Sequence, residues 1–365
     1  MQQLGFEGMP RRLYTCTPTR LGTWLDCPRR YRMTYLDRPP PGKGPPWAHN
    51  SLGASVHNAL AGWWRRPRAE RTVTAAGDLL EAGWIEEGFA GPAQSARYRR
   101  WARGLVEAYV AGLDPDCEPV GVERTVATRT DLVAVSGRID RLDERRRGDG
   151  SAELVVVDYK TGRHVLTVDD ARTSLPLALY ALAAERVMRR PCRRVELHHL
   201  PTGRVLAWEH TAESLARHLR RAEAIAAECA AADEWFRARR DGAAAGQADR
   251  AVVAERAAVA ERAVVAERAA VAERAVVGDR ADRPVSADPA ARADLAAPGP
   301  AADDKFPPRP GGWCGWCDYR ARCPEGSAAS EPRRPWDGLG DAGGDDTAGD
   351  DAAGLPEPFG AARPG

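Results

Sequence analysis

The clearest hydrophobic pattern lies in the middle of the chain, where apolar and polar residues alternate. In residues 121–129 and 131–140, β-branched residues alternate with polar ones, which is typical of half-buried strands. We expect these two segments to pair as a hairpin. Residues 154–158 form the short apolar run LVVVD, as in a central strand covered on both faces. Two further strands are predicted over 194–200 and 204–210, joined by a Pro-Thr-Gly turn.

Helical periodicity surrounds these strands on both sides. Thr17 can cap a first helix that has Pro18 at its first position. The predicted helices cover, in chain order, residues 18–36, 50–64, 97–111, 168–188 and 211–236. Helices that precede and flank a mixed set of strands predict an α/β fold with a mixed central sheet.

Two segments of biased composition do not follow this pattern of helices and strands. Residues 250–280 repeat an AVVAER/AAVAER hexad, and a period of six points successive repeats in different directions around a helix. We therefore expect 237–305 to be a low-complexity insertion, with a helical partner-binding arm as the alternative. Residues 326–365 are rich in Gly, Ala, Pro and Asp and are expected to be a disordered acidic tail.

Charge and hydropathy exclude some classes of protein. The chain has 53 basic and 52 acidic residues, so its overall charge does not indicate a nucleic-acid partner. It contains no apolar run of membrane-spanning length and no segment typical of a signal peptide. We expect a cytoplasmic protein without a membrane partner. Its eight cysteines are then expected to include metal ligands rather than form disulfides.

Lysine is rare enough in this chain to be informative. Only Lys43, Lys160 and Lys305 occur among the 53 basic residues, and the others are arginine. A site that needs a compact ammonium cannot accept the planar guanidinium of arginine. Lysines that remain in such a sequence are therefore candidates for chemistry.

Lys160 belongs to the sharpest cluster of chemically active residues. Asp140 and Asp158 are each predicted to end a strand, and Asp158 and Lys160, two positions apart, face the same side. Two carboxylates on adjacent strands can bind one Mg²⁺, which prefers oxygen ligands. A metal-activated water and a nearby ammonium suit hydrolysis of a phosphodiester. The alternative is that both acids merely end strands before turns.

A second signal is a cysteine array near residue 320. Cys314, Cys317 and Cys323 have the spacing C-x₂-C-x₅-C, and three close thiols need a fourth ligand. Cys27 is the candidate for this fourth ligand. The four thiols could bind either Zn²⁺ or an iron–sulfur cluster.

Several segments together resemble the RecB-type branch of the PD-(D/E)xK nucleases, which includes RecB-like exonucleases, the AddB nuclease domain and the CRISPR-adaptation nucleases. The resemblance rests on Cys27-Pro28-Arg29-Arg30-Tyr31, Leu52-Gly53 with His57, Gly137-Arg138-Ile139-Asp140-Arg141 and Val157-Asp158-Tyr159-Lys160-Thr161-Gly162. It implies a restriction-endonuclease-like core in which His57, Asp140 and Asp158 bind Mg²⁺ or Mn²⁺ and Lys160 is catalytic. Without the resemblance, the favoured interpretation of His57 is a partly buried histidine that is hydrogen-bonded to its neighbours.

The resemblance also implies supporting residues and a second cofactor. A Glu often precedes the hairpin, where Glu123 stands, and a Gln often stands four residues before a helical Tyr. This chain has Pro176 before Tyr180, so one polar group is missing or replaced. One N-terminal and three C-terminal cysteines are implied to hold a [4Fe-4S] cluster, here Cys27, Cys314, Cys317 and Cys323, with Zn²⁺ as the alternative.

These observations predict a metal-dependent DNA exonuclease of repair or recombination, acting on single-stranded or end-containing DNA. Its nuclease domain is expected to comprise residues 14–236 plus 306–325. The alternatives are a non-catalytic DNA-binding iron–sulfur module that assists a helicase or nuclease, and a zinc-structured regulator. No P-loop sequence occurs, so a helicase partner would be a separate polypeptide.

Overall fold

A computed structural model describes residues 13–148, 150–273 and 304–339, with the backbone alone over 243–273. Its sheet has the strand order β1-β3-β4-β5-β6, and β2 pairs with β3 as well. β1 runs parallel to β3, β4 runs parallel to β5, and the other pairs are antiparallel. The strands are β1 Tyr14–Cys16, β2 Gly121–Arg129, β3 Val133–Arg146, β4 Ala152–Lys160, β5 Arg194–His199 and β6 Arg204–Glu209.

The α/β fold with a mixed central sheet is therefore confirmed. Three strands differ from the sequence prediction. β1 has three residues, too few for an alternating pattern to be detected. β3 extends to Arg146 and β4 to Lys160, so the prediction that Asp140 and Asp158 each end a strand is wrong, and both lie within their strands.

The helices flank this sheet. In chain order they are α1 Pro18–Asp26, α2 Pro28–Tyr35, α3 Ala48–Arg65, α4 Val73–Ala82, α5 Pro92–Ala111, α6 Val168–Thr173, α7 Leu175–Met188, α8 Ala212–Glu273 and α9 Pro324–Ala329. Among the residues that the structure describes, no helix is both long and apolar enough to cross a membrane.

Two of the predicted helices are each broken into two. The helix predicted over 18–36 stops at Cys27, and Pro28 begins α2. The helix predicted over 168–188 stops at Ser174, whose hydroxyl caps α7. In each case a proline lies in the first turn of the second helix, where its missing N–H costs nothing and its ring disfavours a continuous helix.

The chain divides into two compact units, Met1–Cys229 with Pro307–Gly365, and Ala230–Phe306. α8 was predicted to end near Phe236, but its backbone continues as a helix to Glu273. Within the second unit, Phe236 packs against Phe306 with ring centroids 5.9 Å apart. Residues 274–303 of the predicted low-complexity insertion lie outside the described residues.

The sheet is covered on both faces, as the LVVVD run predicted. Val155 and Val157 pack with α3, α4 and α5 in one buried cluster. Leu154 and Val156 pack with α7 in another. Alternate residues of β4 thus contribute to two separate hydrophobic layers, which makes β4 the rigid centre of the fold.

Residues 326–339 differ from the predicted disordered tail. α9 includes its first residues, and Leu339 is buried against the cluster on the α3 side. The Leu339 carbonyl accepts hydrogen bonds from Tyr98 Oη at 3.3 Å and from Arg163 Nη1 at 3.0 Å. The apolar side chains of Trp336 and Leu339 supply buried contacts for this segment. Residues 340–365 of the predicted tail lie outside the described residues.

Candidate metal and catalytic site

Three neighbouring strands bring acidic residues together. β3 and β4 pair antiparallel with Arg141 opposite Val157, so the next position of the register places Asp140 beside Asp158. The pairing of β2 with β3 on either side places Glu123 opposite Asp140. The three carboxylates therefore belong to adjacent positions of a rigid sheet.

α3 adds a histidine to this group. His57 Nδ1 lies 3.3 Å from Asp140 Oδ2, and Nε2–H donates a hydrogen bond of 3.1 Å to the Tyr159 carbonyl. Ligand atoms of His57, Glu123 and Asp140 all lie within 4.8 Å of one another. Burial acts to lower the pKa of His57, but the surrounding carboxylates outweigh it and raise this pKa. The field of the site therefore favours a cation.

Asp158 and Lys160 form the other half of the site. Lys160 Nζ lies 2.6 Å from Asp158 Oδ2, as expected for residues two apart on one face of β4. Burial raises the pKa of Asp158, the Lys160 charge lowers it, and the Asp140 charge raises it again. Asp140 Oδ2 is itself fixed by a 2.9 Å hydrogen bond from the Tyr159 amide. Neighbouring β4 residues thus orient both acids.

Glu123 adopts a strained backbone conformation. Its φ of +50° lies in the left-handed region, which costs a non-glycine residue about 1–3 kcal/mol. Its carboxylate is largely buried and lies 2.7 Å from the guanidinium Nε of Arg138. Such strain inside a regular hairpin is typical of a functional position. No feature of the sequence alone indicated this conformation.

Tyr180 approaches the site from α7. Burial raises its pKa to about 12, with further increases from the charges of Asp158 and Asp140. The phenol therefore keeps its proton and is available as a donor beside the acids. Pro176 lies one turn earlier, in the first turn of α7, and is exposed.

Gly137 makes the approach of Tyr180 possible. A Cβ at this position would lie 2.3 Å from Tyr180 Cε1, so Gly137→Ala is expected to lower the free energy of unfolding by about 1–3 kcal/mol. Urea denaturation measures this change. Gly148→Ala is the control, since a Cβ there meets nothing within 4 Å. Equal denaturation midpoints for the two variants would contradict the prediction.

A buried polar network lies beneath the site and was not predicted. Arg141 Nη1 donates hydrogen bonds to Tyr109 Oη at 3.1 Å and Tyr159 Oη at 3.2 Å, and Asp143 binds the same guanidinium. These bonds fix the ring of Tyr159, whose backbone contacts both His57 and Asp140. Arg141 is therefore a positioning residue. An arginine at a core-facing position of a strand was the available sequence signal.

Four cysteines surround a separate cavity of about 590 Å³. They are the predicted set, Cys27, Cys314, Cys317 and Cys323. Cys27 Sγ accepts a hydrogen bond from the Arg30 amide at 3.5 Å, and Cys323 Sγ accepts one from the Gly326 amide at 3.4 Å. All four are free thiols. Among the described residues, no three cysteine sulfurs lie within 4.8 Å of one another.

A mixed sheet that carries an acid–lysine pair beside a second acid is typical of one class of protein, the metal-dependent nucleases built on this core. The sequence model of the PD-(D/E)XK nuclease superfamily matches residues 15–324, and the chain belongs to this superfamily. Nucleases of this superfamily use divalent metals, and the His57–Glu123–Asp140 cluster could hold one.

Other comparisons add less. The solved structure described as "Crystal structure of SSO0001" is 13% identical, with a TM-score of 0.26, over 58% of this chain and 76% of that chain. No match was found among curated proteins. Membership of the superfamily therefore rests on the sequence match.

Proposed function

We propose that the protein is a DNA exonuclease that hydrolyses phosphodiester bonds with Mg²⁺ or Mn²⁺, on single-stranded or end-containing DNA in repair or recombination. The observation that carries the proposal is the antiparallel pairing that sets Asp140 beside the Asp158–Lys160 pair, with His57 of α3 against Asp140. Two acids, an imidazole and an ammonium on rigid elements suit phosphodiester chemistry.

Each side chain has a role in this proposal. His57, Asp140 and Asp158 would hold the divalent ion, with Glu123 as a further ligand. When bound, the ion lowers the pKa of a water and stabilises negative charge on the phosphate. Lys160 orients the nucleophile or stabilises developing charge from its place against Asp158. Tyr180, which keeps its proton, can donate a hydrogen bond to a phosphate oxygen.

We further propose that the four cysteines hold a [4Fe-4S] cluster that joins the ends of a nuclease domain formed by residues 14–236 and 306–325. The four cysteines line one cavity, which suits a group with four thiolate ligands. Burial and the neighbouring Cys27 and Cys314 raise the pKa of Cys317, so a bound cation is needed to hold these thiolates together.

The test is a cleavage assay with protein purified without oxygen and supplied with Mg²⁺ or Mn²⁺. We expect linear single-stranded DNA to be degraded, and circular single-stranded DNA of the same sequence to be spared. Degradation of both would replace the exonuclease proposal with an endonuclease. Intact DNA of both kinds, with every metal, would exclude the nuclease proposal.

A second candidate is a non-catalytic DNA-binding iron–sulfur module that assists a separate helicase or nuclease. It is favoured by Pro176, an apolar residue one helical turn before Tyr180. It predicts that DNA binds with the same affinity with and without divalent metal and is never cut. The same assay, read with a binding measurement, separates the two candidates.

A further inference from the structure

A basic cavity of about 290 Å³ lies where α6, β6 and the start of α8 meet, away from the acids of the metal site. Its lining combines guanidinium, imidazole, hydroxyl and indole groups. These groups belong to residues that include Arg172, Trp208, Thr211, Arg217, His218 and Arg221. Neither the nuclease motif nor the cysteine array includes any of them.

The charges around this cavity are mostly positive. Arg172, Arg217 and Arg221 are exposed, and Asp169 binds Arg172 at 2.9 Å. Within the described residues, no carboxylate lies within 4.0 Å of the guanidinium nitrogens of Arg217 or Arg221. Glu213, in the first turn of α8, interacts electrostatically with Arg217. The cavity therefore keeps a net positive charge.

This positive field affects the pKa of His218. Burial lowers its pKa, and the charges of Arg221 and Arg217 lower it further, against the hydrogen bond from its ring to the Arg172 carbonyl, which raises it. The ring is thereby kept neutral near physiological pH. The positive field of Arg217 and Arg221 around this neutral ring suits an anion from outside the protein.

Guanidinium groups, which donate hydrogen bonds, line the same cavity. Arg217 and Arg221 are four residues apart, on one side of α8. Arg172 stacks over the Trp208 ring, with its guanidinium carbon 5.9 Å from the centroid. Guanidinium groups suit phosphate oxygens, which only accept hydrogen bonds.

The position of the cavity relates it to the metal site. Trp208 packs on the sheet face that carries Leu154 and Val156, and Asp158 and Lys160 continue that face of β4. Lys160 is opposite His199 on β5, whereas Trp208 is opposite Val195, four residues away. Strand geometry separates Lys160 and Trp208 by about 16 Å, or roughly five stacked nucleotides.

We propose that this cavity binds the phosphodiester backbone of a DNA strand whose reacting phosphate lies at the Asp140–Asp158 centre. The inference rests on the proposed nuclease function for the orientation of the strand. Phosphate contacts fix the register of a strand and carry no sequence information. The three arginines would therefore contribute affinity without taking part in bond cleavage.

The experiment measures binding of a 20-nucleotide single strand to full-length protein over a series of salt concentrations, without divalent metal. We expect Arg217→Gln/Arg221→Gln to weaken binding about tenfold and to reduce the slope of log affinity against log salt by about 1.4, or 0.7 for each lost contact. Arg220→Gln is the matched control, because Arg220 is exposed on α8 and does not line the cavity.

Unchanged affinity and salt slope in the double variant would overturn the proposal. So would loss of inorganic phosphate binding with unchanged DNA affinity, because the cavity would then be a site for a small anion. The assay does not depend on cleavage. A protein that binds DNA through these arginines but never cuts it would contradict the nuclease proposal alone. Cleavage at saturating DNA should proceed in the double variant with an unchanged kcat and a raised KM.

Discussion

Lys160→Ala is expected to reduce kcat for DNA cleavage by at least about a hundredfold. The side chain places a positive charge 2.6 Å from Asp158, and Asp158 lies beside Asp140 across the strand pair. Its loss removes the group proposed to orient the nucleophile or stabilise developing charge. Single-turnover cleavage of labelled DNA at saturating metal measures the effect.

Lys160→Arg tests whether the charge alone is sufficient. A guanidinium is planar and larger than an ammonium, so we expect this variant to stay far below the unmodified activity. Lys43→Ala is the matched control, since Lys43 is exposed in the segment between α2 and α3. Full activity in Lys160→Ala, or an equal loss in Lys43→Ala, would contradict the assigned role.

The sheet and the acids could be predicted because their signals are local. The alternation in 121–129 matches β2 at both ends, and the LVVVD run lies within β4. Residues two apart on a strand share a face, so Asp158 and Lys160 had to meet. The neighbouring position of Asp140 followed from expecting two adjacent strands, although β3 proved to extend beyond it.

Features that depend on contacts between distant segments could not be predicted. The left-handed conformation of Glu123 has no signature in a strand that otherwise alternates normally. Leu339 is ordered by residues more than 150 positions earlier, including Arg163 and Tyr98. The Arg141 network likewise joins α5, β3 and β4, and its hydrogen bonds need the folded arrangement to exist. Composition and periodicity describe neither kind of contact.

Cys317→Ser is expected to remove the proposed iron–sulfur cluster and to destabilise the protein by on the order of 4 kcal/mol. The cysteine cavity is lined by Cys27, before α2, and by three cysteines near residue 320, so a cluster there closes a loop of most of the chain. Closing so long a loop lowers the conformational entropy of the unfolded chain, which stabilises the folded protein. Loss of the cluster opens the loop and removes this stabilisation. Iron and sulfide analysis with urea denaturation measures both effects.

Cys117→Ser is the control for this prediction, because Cys117 is a free, exposed thiol away from the cavity. We expect it to keep its iron and its denaturation midpoint. Stoichiometric zinc without iron in the unmodified protein would replace the cluster with a zinc site. The proposal fails if Cys317→Ser and Cys117→Ser hold the same metal and unfold at the same urea concentration. The four cysteines then do not join the two ends of the domain. The buried contacts of Leu339 and Tyr319 would have to join them without a cofactor.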